Sequence, residues 1–249
     1  MAEPYIVIRG LTQRFGDHEV LKGIDLEIFP GEILVILGTS GGGKSVLLKH
    51  LPGLLQPQSG SVTVDGVDIS TLGERELGPM RRQMGIMFQG GALFDSFTVE
   101  ENVAFPLHEQ NIAEVEISKR VVEALEIVRL TGHGGKFPAE LSGGMRKRVA
   151  LARAVVSMPK CVLYDEPHAG LDPMTAATID HLIRDLQRKY AMTSVVITHE
   201  MKSVFRIADR VAFIDQGRIV WIGTPEELRT SADPLVKAFV EGEPGETWD

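Results

Sequence analysis

A chain of 249 residues with 43% hydrophobic composition can bury a full core, as one large domain or two small ones. Its formal net charge of −8 argues against a nucleic-acid binder working by general electrostatics, which needs a basic face. A single cysteine, Cys161, excludes an intramolecular disulfide and an all-cysteine metal site; set in an apolar run, it reads as a packed core thiol in a reducing compartment.

No basic-then-apolar leader shows in Met1 to Arg9, and no apolar run approaches the about 18 residues of a membrane span. Work on a membrane would therefore go through a partner. The segment Tyr5 to Ile8, a second near Val20, and the alternating Ile24-Asp25-Leu26-Glu27-Ile28 predict three short strands before Pro30-Gly31. The apolar run Ile33 to Leu37 then predicts a buried strand, and it leads into Gly38-Thr39-Ser40-Gly41-Gly42-Gly43-Lys44-Ser45. These eight residues fit G-x-x-x-x-G-K-[ST], a P-loop, and Val46-Leu47-Leu48-Lys49-His50-Leu51 leaves it as a helix. Glycines let the backbone turn tightly enough to aim several N–H groups at one anion, and the helix N-terminus adds its positive pole. Lys44 is expected to reach the β- and γ-phosphates of a nucleotide, and the Ser45 hydroxyl to ligate Mg²⁺.

Ser61 to Gly66 alternates and turns at Asp65-Gly66, a hairpin signal that completes a β-rich layer around the P-loop strand. From Thr98 the period turns helical. Thr98 and Glu101 form a capping box for one helix, a second spans about 113–130, and a third begins near Ser142 and continues through Ala154. Residues 91–158 read as a helical insert. The α/β pattern resumes with a strand at Cys161 to Tyr164 and a helix capped by Asp172-Pro173, with Ile179, Leu182, Ile183 and Leu186 as its stripe. Ser194 to Thr198 predicts another strand, Met201 to Ala208 a helix, Val211–Ile214 and Ile219–Ile222 a strand pair, and Thr224-Pro225 a final capped helix. Strands alternating with helices imply a mainly parallel sheet with ligands at the strand C-termini. The end of the chain, Glu241 to Asp249, is acidic and reads as a mobile tail unless Trp248 docks on a partner.

Phosphoryl transfer also needs a carboxylate on the metal side and a group that directs water. Both follow the Cys161–Tyr164 strand as Asp165, the expected Mg²⁺ partner, and Glu166, the expected water-orienting base.

With these motifs the chain resembles the nucleotide-binding subunits of ATP-binding cassette (ABC) transporters, in the right order over nearly its whole length. The most specific element is Leu141-Ser142-Gly143-Gly144-Met145, similar to the signature L-S-G-G-Q. The resemblance implies one ABC ATPase domain over 1–249: an α/β P-loop NTPase (RecA-like) core with a mainly parallel sheet and an N-terminal antiparallel β layer in 1–90 and 159–229. It places an inserted α-helical signature subdomain at 91–158 and a C-terminal extension at 230–249. It implies a head-to-tail homodimer in which Ser142, Gly143 and Gly144 of one subunit meet the γ-phosphate of ATP held by the other subunit's residues Gly38 to Val46. It assigns Gln89 to the loop meeting Mg²⁺ and the attacking water, His199 to the γ-phosphate switch, Asp172 to the loop across the dimer, and Phe15 to adenine stacking.

Three departures stand out: Met145 replaces the signature glutamine, Val46 a common threonine, and His168-Ala169 a common Thr-Ser. None removes a residue needed for hydrolysis. Leu141 to Arg148, Gln89 to Ser96 and Glu101 to Leu107 together look like the MlaF-type ATPases, which energise phospholipid movement between inner and outer membranes. That resemblance implies a peripheral protein on the cytoplasmic face of the inner membrane. Its partners would be an integral permease docking near Gln89–Phe97, with exposed Phe94 and Phe97 as anchors, an MCE-domain lipid-binding protein and a small accessory subunit, and no nucleic acid. The Arg146-Lys147-Arg148 cluster reads as the solvated face of the signature helix. The competing readings are a transporter of another solute and a soluble ABC ATPase of iron–sulfur assembly.

Overall fold

The computed structural model describes residues 3–110 and 112–242. The chain divides into two compact units, one formed by the residues up to Leu72 and from Ile197 onward, the other by Gly73–Val196.

The first unit opens with an antiparallel sheet in the order β2-β1-β4-β5, from β1 (Ile6–Phe15), β2 (His18–Ile28), β4 (Ser59–Val64) and β5 (Val67–Asp68). The two strands expected near Val20 and at Ile24–Ile28 are one, because β1 pairs along all of β2, from Phe15↔His18 to Ile6↔Ile28, absorbing irregularities by bulges. The Asp65-Gly66 turn is present with both residues in the left-handed region (φ 50 and 78), as a two-residue hairpin requires. A second set of strands runs β10-β9-β3: β3 (Ile33–Gly38) is parallel to β9 (Arg210–Asp215), which turns back antiparallel into β10 (Arg218–Gly223). Every residue of β3 is buried, which is why it reads as an unbroken apolar run rather than an alternating one. The helices are α1 (Lys44–His50), α7 (Met201–Ile207), α8 (Pro225–Arg229) and α9 (Pro234–Glu241). The last falls in the segment expected only as an extension. Asp233 caps it by accepting from Leu235 and Val236 N–H, and Phe239 packs edge-on against Phe213 at 4.9 Å. Most of the acidic tail, including Trp248, lies outside the described residues.

The second unit holds the strands β8-β7-β6, namely β8 (Thr193–Ile197, whose last residue opens the resumed first unit), β7 (Cys161–Asp165) and β6 (Met84–Met87), with β6 and β7 parallel. Its helices are α2 (Glu74–Arg81), α3 (Val99–His108), α4 (Glu114–Ile127), α5 (Gly143–Val155) and α6 (Pro173–Tyr190). Neither α2 nor β6 is legible from pattern. The first contains Gly78 and Pro79, both helix breakers; the Glu76 carboxylate caps its start by accepting from the Gly73 N–H, and its Leu77 is buried as α2 packs on β6. The second is short and interrupted by Gly85, where a Cβ would stand 2.0 Å from the Ala154 carbonyl oxygen, so a side chain is sterically excluded. Helix α5 packs on α3, α4 and α6, and the α6 stripe Ile179, Leu182, Ile183 and Leu186 is at most 4% exposed. Each such side chain contributes roughly 1.5–3 kcal/mol on burial.

Candidate nucleotide site

The P-loop turns between the end of β3 and the start of α1. Gly38 lies against β9 so closely that a Cβ would be 2.0 Å from the Ile214 carbonyl oxygen. Gly43 precedes the helix in the left-handed region (φ 100), and no side chain caps α1. Around Gly41 the space is open, with nothing within 4 Å of a Cβ. The loop is pinned by Gly42 N–H donating to Thr39 O at 3.1 Å and by Thr39 Oγ1 donating to Asp215 Oδ1 at 3.2 Å. Sequence reading missed Asp215, because nothing in a strand-ending aspartate announces a loop 176 residues earlier. Lys44 Nζ donates to the carbonyls of Gly38 (2.9 Å) and Thr39 (2.7 Å), which keeps the ammonium over the loop. A loop of backbone donors, an open glycine and a lysine held across it fit a phosphate chain. Ser45 is exposed and Val46 half-buried. The same unit carries Phe15, 49% exposed at the end of β1, and an exposed His199 after β8.

The second unit carries the other candidates. Asp165 ends β7 half-buried, and Glu166 follows with its backbone in the left-handed region (φ 46). For a non-glycine residue that conformation costs about 1–3 kcal/mol and persists only where neighbours impose it. Gln89 is exposed just beyond β6. Among the described residues no cluster of three or more His, Cys, Asp or Glu forms a ready cage. Taken singly, the Ser45 hydroxyl of the first unit and the Asp165 carboxylate and Gln89 amide of the second are oxygen donors of the kind Mg²⁺ takes.

Ser142 caps α5, its Oγ accepting from Met145 N–H at 3.3 Å, with Gly143 exposed beside it. Gly144 is required because a Cβ there would meet Thr175 Cγ2 at 2.4 Å. That threonine sits in the first turn of α6, whose cap Asp172 accepts from the Thr175 hydroxyl at 2.5 Å and from Thr175 and Met174 N–H at 3.1 and 3.0 Å; the hydroxyl bond first, then the backbone bonds, hold its carboxyl below the usual range. His168 gains a physical account: it is 4% exposed with Nε2 2.6 Å from Oδ1 of the fully buried Asp180, so it anchors the turn after Glu166 to α6. Cys161 is a core thiol whose burial pushes its pKa to about 12.

Two expectations are corrected. Arg146-Lys147-Arg148 is a solvated face only in part: Arg146 is exposed while donating to Leu141 O, and Arg148 is half-buried and donates to Val128 O and Arg129 O, but Lys147 is only 7% exposed. Lys147 shares its helix face with the buried Ala150, Leu151 and Ala154, and that spacing was a signal available in the sequence. Phe97 is half-buried rather than exposed, stacked at 5.0 Å on Phe94, which is 41% exposed.

A profile of the ABC transporter family matches residues 21–169. The probable ribonucleotide transport ATP-binding protein mkl of Mycobacterium leprae is 42% identical over 238 residues, covering 95% of this chain and 69% of the relative. The methionine import ATP-binding protein MetN of Carboxydothermus hydrogenoformans is 43% identical over 239 residues, covering 94% and 71%. The chain thus spans about two thirds of the length of these curated relatives. Among solved structures, cbiO1 of Clostridium perfringens, part of the cbiONQ transporter complex, superposes with TM-score 0.85 at 33% identity over 92% of each chain. The dimeric cassette MJ0796 bound to ADP and Pi superposes with TM-score 0.81 at 31% identity over 88% of this chain and 98% of that one. The chain belongs to the ABC transporter family, as one of its ATP-binding cassette ATPases.

Proposed function

We propose that this chain is the motor subunit of a membrane transporter, and that the solute it moves is phospholipid. The observation that carries the motor reading is α5. Its N-terminus presents Ser142, Gly143 and Gly144, while farther along Arg153 donates to Gly91 O (2.6 Å) and Ala92 O (2.7 Å). Ala92 and Arg153 border a groove of about 510 Å³ that is also lined by Arg81, Phe88, Phe94, Phe105 and Pro106. An exposed aromatic floor with a basic rim suits a short amphipathic helix with acidic ends, supplied by a permease. The docking element and the anion-binding helix end are then parts of one rigid rod.

In this reading Lys44 and the P-loop N–H groups hold the nucleotide phosphates, and Phe15 stacks on the base. Ser45, Asp165 and Gln89 would hold Mg²⁺, which when bound neutralises charge on the transferring phosphoryl group. Glu166 orients and deprotonates the attacking water, and His199 contacts the γ-phosphate. A second copy contributes Ser142, Gly143, Gly144 and Asp172 in a head-to-tail dimer. Among the described residues no helix is long and apolar enough to cross a membrane. The groove then accounts for attachment at the cytoplasmic face.

The phospholipid assignment rests on the MlaF-like segments Gln89–Ser96, Glu101–Leu107 and Leu141–Arg148, and it implies an MCE-domain protein and a small accessory subunit as partners. The relatives named for ribonucleotide transport and methionine import favour a second reading, a small polar solute. Affinity purification of the full chain from detergent-solubilised native membranes, with mass spectrometry of what accompanies it, separates them. A permease with an MCE-domain protein supports the lipid reading, a permease with a solute-binding protein supports the second, and soluble partners alone overturn both.

A further inference from the structure

Lys147 is a lysine where the packing favours an apolar residue. It lies on the buried face of α5, and its ammonium donates to the carbonyl oxygen of Gln89 and, at 3.4 Å, to that of Glu166. Burial pushes its pKa down from the ordinary lysine value, while the charges of Glu166 and Asp165 act in the opposite sense. A buried cation is costly unless it is paired and hydrogen-bonded, so the cation is retained for what it holds.

What it holds are the backbones of two residues assigned to hydrolysis. Glu166 has the left-handed conformation described above, and its carbonyl accepts from both Lys147 and the Ala169 N–H (3.1 Å). Two donors on one carbonyl over-determine a conformation that would otherwise relax and swing the carboxylate. Gln89 sits at the mouth of the segment that Arg153 clamps at Gly91 and Ala92. Both of these Lys147 bonds are to main-chain oxygens.

We propose that Lys147 is a positioning residue for hydrolysis: it ties the main chain of Gln89 and of Glu166 to the helix that begins at Ser142, so that the placement of the water-directing groups follows the placement of the signature helix. This rests on the reading of Glu166 as the base. It accounts for a cation buried in a helix that otherwise packs apolar residues, and it makes α5 a lever with the nucleotide at one end and the docking groove alongside.

The test compares the full chain as wild type, Lys147→Met, Lys147→Arg and Glu166→Gln in steady-state ATP hydrolysis and in binding of a fluorescent ATP analogue. Lys147→Met is expected to lower kcat roughly ten- to a hundredfold through misplacement. Affinity for the analogue stays within about twofold, because only the catalytic step is touched. Lys147→Arg, whose fork can reach both carbonyls, restores most of the rate. A wild-type kcat in Lys147→Met, a loss of affinity as large as the loss of rate, or no rescue by arginine overturns the proposal. If Lys147→Met does not fold, Lys147→Gln replaces it, and equal rates in Lys147→Gln and Lys147→Arg overturn it. Glu166→Gln keeps the two readings apart: if it hydrolyses ATP normally, the assignment of the base fails; if it is inactive while Lys147→Met is normal, only the role of Lys147 fails.

Discussion

The Phe94–Thr98 part of the groove segment is tied to α3 by one buried amide. Asn102 in α3 is fully buried; its Oδ1 accepts from Phe94 N–H (2.8 Å), and its two amide hydrogens are shared among the carbonyls of Phe94 (3.0 Å), Phe97 (3.2 Å) and Thr98 (2.9 Å). Asn102→Leu keeps the volume and removes every one of these bonds. A backbone group left unpaired costs about 1–3 kcal/mol when buried, but Phe94 and Phe97 are partly solvated, so water repairs some of the loss and about 2–4 kcal/mol remains. For a chain of this size that is a fall in melting temperature of about 4–16 °C. Asn102→Asp is the sharper probe, since one oxygen replaces the NH₂ and a carboxylate would face three carbonyl oxygens. It is expected to destabilise at least as much at neutral pH and to recover partly in acid, where the protonated carboxyl can donate to one carbonyl. Thermal melts followed by circular dichroism at pH 5 and pH 8 measure both. An Asn102→Leu melt within about 2 °C of wild type, or an Asn102→Asp penalty that does not change with pH, would refute the idea that this amide holds the segment.

Glu166→Gln should lower kcat by about 10²–10⁴-fold and leave an ATP-bound dimer visible by light scattering; a monomer in the presence of ATP counts against the shared site. Gly38→Ala must push β3 away from the Ile214 carbonyl, and should weaken ATP-analogue binding and cost about 1–3 kcal/mol; unchanged affinity would show that the loop does not depend on that approach. Glu101 and Glu227 accept hydrogen bonds from the Thr98 and Thr224 backbones and side chains that they help to cap, which holds both carboxyls below the ordinary 4.5. The unfolded chain therefore binds these protons first, so the stability they contribute is present above pH 4.5 and is lost as pH falls through their lower folded values. Urea midpoints measured from pH 7 down to pH 3 should decline only in that acid range, and less steeply in Glu101→Gln; an unchanged slope would exclude the capping carboxylate as a cause.

Much of this protein was legible in its order of residues, where the physical cause is local. The P-loop follows from glycine and lysine spacing between an apolar run and a helix. The Thr98, Asp172 and Thr224 caps follow from side chains that reach backbone N–H groups two or three residues on. Cys161–Tyr164 is legible because a strand buried on both faces must be continuously apolar. Only the tertiary structure could merge two expected strands into β2, since pairing with β1 decides that. It alone could keep α2 helical across Gly78 and Pro79, and form β6 at a glycine whose missing side chain admits the Ala154 carbonyl. The fate of charge was least legible of all. The spacing of Lys147 on α5 points to the buried face, but what makes its burial and that of His168 tolerable is the oxygens of Gln89, Glu166 and Asp180, brought near by the fold, which no local pattern announces.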